Sequence, residues 1–261
     1  LQNANTPPTN PLRHVVWKIF WLLYQPICMD FTKQHLQKHH TNSIRSVAFH
    51  PTLPLLATGS ADKSTILYDI STLPPTVKHH FKHYTNWVNS VVFHPSLPLL
   101  ATGSGNKFTI IYDISNISNI STSPPTVKHH TSGVISAAFH PSLPLLATGS
   151  YDTSTIIYDI STSPPTVKCH LKHHTNWVSS VAFHPSLPLF ATGSGDNLTI
   201  IYDISNISTS PPTVKHHLKG NHTDWVNSVA FHPSLPFLAT GSSDKSIIFY
   251  NISTSPPTIK H

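Results

Sequence analysis

Apolar residues come along this chain in short bursts separated by polar turns, and the bursts recur. The stretch FHPSLPLLATGSYDTSTIIYDI at 139–160 has counterparts at 49–70, 93–114, 183–204 and 231–252. Each copy is 22 residues long and aligns without a gap, while their starts lie 44, 46, 44 and 48 residues apart. Length therefore varies only in the connectors. A fixed module on a period in the forties marks a repeat array.

Within the module the pattern predicts strands. Val47-Ala48-Phe49 alternates until His50-Pro51 stops it, because proline has no amide proton to give a sheet. Leu55 to Thr58 reads as a second strand ending near Gly59, and Thr65 to Ile70 as a third beyond the polar turn Ala61-Asp62-Lys63. These runs are apolar on both faces, as in a sheet covered on both sides. A turn of the type Ser-Thr-Ser-Pro-Pro-Thr-Val-Lys (161–168) follows, with a fourth short strand expected after it. Four antiparallel strands per period, stacked radially, predict an all-β fold of propeller blades. A single blade cannot bury both faces, so neighbouring blades supply the rest of the core.

From about residue 40 onward the chain resembles the WD40-repeat family, with Tyr-Asp where the family has Trp-Asp. The resemblance implies a β-propeller with five clear repeats plus a degraded N-terminal partial blade. It also implies a hydrogen-bonded set in each blade. The first copy offers His40, Ser60, Asp62 and Tyr68; the third His130, Ser150, Asp152 and Tyr158. The fourth offers His174, Ser194, Asp196 and Tyr202, and the fifth His222, Ser242, Asp244 and Tyr250. In the second, Tyr84 stands at the His position and Asn106 at the Asp, beside Ser104 and Tyr112. Recurring Ser, His and Asp in every blade match this structural set rather than a hydrolase triad, so no catalytic residue is assigned and the chain is not expected to be an enzyme.

The first forty residues are organised differently. Residues 1–11 are polar and proline-rich and read as a disordered lead. The run at 14–24 holds about ten apolar residues around Lys18, against roughly 20 for a membrane helix, so no membrane span is expected. Residues 22–40 align with 156–174, which makes 12–40 a degenerate partial blade or closing strand before a propeller at 41–261. Residues 31–38 are expected to complete the last blade, whose own sequence reads as ending just where its outermost strand should begin. An open ring would expose apolar blade faces and favour self-association. The extra Ser115–Ile120 and Asn206–Ser208 segments are expected in surface loops.

Charge sharpens this picture only slightly. Sixteen Lys and Arg against ten Asp and Glu give a net charge of +6, and 21 histidines add more positive charge below about pH 6. Two cysteines, Cys28 and Cys169, exclude a disulfide framework and suit a reducing compartment, cytoplasm or nucleus. Histidine pairs such as His79-His80 alternate across a strand and do not chelate as a unit, so neither metal nor cofactor is expected.

Trp87, Trp177 and Trp225 fall three residues after the family's His position, and Tyr151 just before a turn Asp. The resemblance puts these on the upper face, and tryptophan is enriched at binding hot spots. The expected function is a non-enzymatic scaffold presenting that face to a peptide or protein, with Tyr151 and Trp177 on one side of the footprint. The alternative is nucleic-acid (RNA) binding through Lys/His-rich edges bearing Lys78, Lys128, Lys168 and Lys215.

Overall fold

The computed structural model describes residues 39–82, 84–117, 120 and 124–260, within a compact unit spanning Lys38–His261. Among them are twenty strands in five antiparallel sheets, each of four strands in chain order. The first blade comprises β1 (Ile44–Phe49), β2 (Leu55–Ser60), β3 (Thr65–Asp69) and β4 (Thr76–Phe81). The second has β5 (Val88–Phe93), β6 (Leu99–Ser104), β7 (Thr109–Asp113) and a two-residue β8 (Thr126–Val127). The third has β9 (Val134–Phe139), β10 (Leu145–Ser150), β11 (Thr155–Asp159) and β12 (Thr166–Leu171). The fourth runs β13 (Val178–Phe183), β14 (Leu189–Ser194), β15 (Thr199–Asp203) and β16 (Thr213–Leu218). The fifth ends the series with β17 (Val226–Phe231), β18 (Phe237–Ser242), β19 (Ile247–Asn251) and β20 (Thr258–Lys260).

Three expectations need correction. The fourth strand does not wait for the end of the Pro-Pro-Thr-Val-Lys turn: β12 starts at Thr166, inside it. Val167 and Thr166 already pair with Tyr158 and Asp159, because a Pro-Pro corner returns the chain to the sheet at once. The fifth blade has its own fourth strand, β20, paired with Phe249–Asn251. The extra connector segments are not merely surface loops either. Ile120 and Ile207 are buried in the clusters between blades, since burying an isoleucine outweighs the loop's polar setting. The lead at 1–11, the partial blade at 12–38 and the strand expected at 31–38 lie outside the described residues.

The core lies between blades rather than within one. The first strands pack in succession, β1 on β5, β5 on β9, β9 on β13 and β13 on β17. One apolar cluster sits in each gap; that between the third and fourth blades joins Leu145, Ile157 and Leu171 to Val178, Phe190 and Tyr202. Glycine in the second strand sets the spacing. A Cβ on Gly59, Gly103, Gly149 or Gly193 would come within 2.6–2.8 Å of Cγ1 of the valine opening the next blade. Backbone meets side chain there because the glycine leaves room.

Candidate functional site

The loop entering each blade is fixed from two directions. In the third blade the Asp152 carboxylate accepts the Thr131 amide at 2.7 Å, the Ser154 amide at 3.0 Å and the Ser154 hydroxyl at 2.6 Å. His130 Nδ1 lies 2.9 Å from the same carboxylate. The Ser150 hydroxyl donates to the carbonyls of Ser132 and Gly133 and accepts the Asp152 amide. The first, fourth and fifth blades repeat the His–Asp contact at 2.9 Å through His40–Asp62, His174–Asp196 and His222–Asp244.

The electrostatics follow from that geometry. Burial pushes the Asp152 carboxyl up, but the hydrogen bonds from Ser154, Thr131 and His130 and the charge of His130 outweigh it and hold the group at about 2. Asp62 is held at about 2 in the same way, and Asp196 and Asp244 are also lowered. Burial lowers the pKa of His130, with Asp152 pulling the other way.

Sequence reasoning missed the threonine of this network. His130 Nε2 lies 2.8 Å from Thr148 Oγ1, and Thr148 also meets the hydroxyl of the buried Tyr158. Thr58, Thr192 and Thr240 do the same for His40, His174 and His222. Ser60, Ser150, Ser194 and Ser242 hold loop carbonyls and accept the amide of the turn Asp rather than meeting the imidazole. Thr and Ser lie two apart and share a strand face, so the Ala-Thr-Gly-Ser string could not say which the ring would reach. In the second blade Tyr84 replaces the imidazole: its hydroxyl bonds Thr102 and lies 3.0 Å from that of Tyr112. Burial pushes the Tyr84 phenol up to about 12.

These anchors also fix the loops that carry the aromatic residues singled out by the sequence. The Trp177 carbonyl accepts the Gly195 amide at 2.9 Å, and its own amide donates to Asn176 Oδ1 at 2.9 Å. Trp225 repeats this with Ser243 and Asp224, and Trp87 with Gly105 and Asn86. Trp177 lies so close over Gly195 that a Cβ there would be 2.7 Å from the indole. Tyr151, Trp177 and Trp225, from three successive blades, form one row. Their ring centroids are 6.3 Å and 4.8 Å apart, both pairs edge to face. Tyr151 and Trp225 are half-exposed. Trp87 is not in this row; the Arg45 guanidinium sits 4.7 Å from its ring, a contact between residues 42 positions apart that no local pattern signals.

The basic edges are partly engaged by the chain itself. Lys78 pairs with Asp69 at 3.0 Å, Lys168 donates to the Ser208 carbonyl and Lys128 lies 5.2 Å from the Phe108 ring. Among the described residues no group of three or more His, Cys, Asp or Glu is placed to hold a metal ion. No helix among them is long and apolar enough to cross a membrane. Cys169 is a free, buried thiol whose pKa burial pushes up to about 11.

Comparison with known proteins agrees with the fold. A 38-residue segment is 55% identical to a Candida dubliniensis protein described as "Probable cytosolic iron-sulfur protein assembly protein 1", covering 15% of this chain and 10% of that one. The Candida albicans protein of the same description is 54% identical over 37 residues, 14% of this chain and 10% of that protein. Among solved structures, Chaetomium thermophilum Sqt1 bound to the N-terminus of the ribosomal protein L10 superposes with a TM-score of 0.72 at 22% identity. That match covers 83% of this chain and 61% of Sqt1. The profile "WD domain, G-beta repeat" matches residues 31–69, 75–113, 121–159, 165–203 and 212–251. With most of its length in those five matches and five four-stranded sheets to show for it, the chain belongs to the WD40 repeat family of β-propeller proteins.

Proposed function

We propose that this chain is a non-enzymatic interaction scaffold that grips an extended peptide along the row Tyr151, Trp177 and Trp225. The row is the observation that carries the reading. Alternate side chains of an extended peptide lie about 6.6–6.8 Å apart on one face, close to the 6.3 Å between Tyr151 and Trp177. Two rings at that spacing suit side chains i and i+2, and Trp225 extends the platform beyond them. Rigid aromatic rings provide contact area at little entropic cost, and here the Asp and Ser anchors have already fixed the loops. Apolar or cationic side chains fit such a surface, the latter through the ring faces. Sqt1, which shares the fold, is seen bound to a peptide segment, and this supports a peptide as the kind of partner.

The test is affinity capture with the wild-type chain beside a Tyr151→Ala/Trp177→Ala/Trp225→Ala variant, followed by direct titration of any captured peptide. Loss of partners from the variant at unchanged stability is the expected result. Equal partner lists would remove the site while leaving the fold untouched.

A further inference from the structure

The same blade junction is built four times, and among the described residues the first and last blades each leave one half of it exposed. Between the fourth and fifth blades, Val226 enters the hollow over Gly193, with Cγ1 2.8 Å from where a Cβ would be. The Ser180 hydroxyl accepts the Val229 amide at 3.1 Å. The His184 ring meets Phe231 at 5.0 Å. The other three junctions repeat the hollow, the 3.1–3.2 Å bond and the 5.0 Å ring contact.

On the leading face, Ile44, Val47 and Phe49 hold the places of Val226, Val229 and Phe231. Val47 is 61% exposed and Phe49 67%, whereas Val229 is 6% exposed. On the trailing face, Gly241 holds the place of Gly193, and nothing lies within 4 Å of its added Cβ. Ser228 is exposed where Ser180 takes its bond, and His232 stands where His184 meets its phenylalanine. Ile247 on the same face is 68% exposed, against 1% for its counterpart Thr199. Exposed apolar patches of this kind on a folded chain mark association surfaces.

We propose that the trailing face of one copy seats the leading face of a second copy, head to tail. Ile44 fills the hollow over Gly241, the Ser228 hydroxyl accepts the Val47 amide, and Phe49 meets the His232 ring. The occupant is a second copy because each chain carries both halves of a junction that it already makes four times within itself. Such an interface is heterologous, so each copy keeps one face open for the next.

The test uses the full chain and two variants, each blocked on one face. Gly241→Trp fills the hollow, where an added Cβ meets nothing within 4 Å, and Val47→Asp puts a charge on a side chain already in water. Sedimentation velocity over a range of concentrations should show wild-type mass rising above the 28.8 kDa of one chain. Each variant alone should form no more than a monomer, with its circular dichroism unchanged and its urea midpoint not lowered. An equimolar mixture should give a dimer, because the free leading face of one variant meets the free trailing face of the other. A wild type that stays monomeric, as it would if residues 1–38 covered the leading face, overturns the proposal. So does a mixture that stays monomeric, or a single variant that associates as the wild type does.

Discussion

Replacing the second-strand glycines by alanine, one blade at a time, probes the junctions directly. At Gly193 the new methyl would lie 2.8 Å from Val226 Cγ1 and 2.9 Å from Val229 Cγ1. Carbon atoms pack best at about 3.5–4.0 Å, so both valines have to retreat by more than half an ångström, on the order of 0.7 Å. Val226 is fully buried and β-branched, with a stiff χ1, so it has no free rotamer to escape into. Overpacking of this kind costs about 1–3 kcal/mol. Alanine also narrows the unfolded ensemble, which returns about 0.4–1 kcal/mol. The expected net loss at Gly193 is about 1–2 kcal/mol. At Gly149 the methyl also meets the Val178 carbonyl oxygen at 2.8 Å, and backbone yields less than a side chain. That variant belongs at the top of the range, about 3 kcal/mol. At Gly241 only the unfolded-state effect acts, and Gly241→Ala should gain about 0.4–1 kcal/mol. Urea unfolding at low protein concentration, followed by tryptophan fluorescence and circular dichroism together, reads all three, with m unchanged if only the folded state is affected. Equal losses at Gly149 and Gly241, or neutrality at all three, would refute the junction as described.

Other outcomes follow from the loop anchors. Asp152→Ala should cost about 3 kcal/mol in urea unfolding, because it strands the buried His130 ring and two amides. Asn106→Ala, whose weaker amide contact is 3.3 Å to Thr85, should cost less than about 1 kcal/mol. Thr153 adopts φ 69°, strained for a β-branched residue, so Thr153→Asn should raise the urea midpoint by about 1 kcal/mol of stability. Acid should destabilise the chain in two stages. His94, His140 and His184 each accept two backbone amides on Nδ1, and burial lowers the pKa of each, so the unfolded chain binds protons first. Stability is then full above about pH 6.5 and declines below it. Asp152, at about 2 when folded, adds a further loss below about pH 4. A urea midpoint at pH 5.5 equal to or above that at pH 7.5 would contradict the first stage.

The fold was legible because one short module states it five times. Leu55, Leu56 and Ala57 put apolar residues on both faces of one strand, and a sheet sandwiched between neighbours satisfies that pattern. The His-Pro corner and the Asp turn each mark a strand end in the sequence itself. Less of the site could be read. The sequence singled out Trp177 and Trp225 three residues after the loop histidine and Tyr151 just before a turn Asp, yet the Arg45 contact of Trp87 is one that only the packing of the first two blades brings about. Thr148 lies in the same short string as Ser150, and its part depends on how far the His130 ring reaches across the sheet. Ile207 sits in a polar connector, so its burial shows only once the fourth blade is folded against its neighbour.

Hydrogen exchange on the chain with and without a bound partner peptide tests the binding face most directly. The account predicts new protection in the loops at 175–178 and 223–226 and in the turn at Tyr151, with β4, β12 and β16 unchanged. Protection confined to those outer strands, with the Trp177 and Trp225 loops exchanging as before, would contradict it.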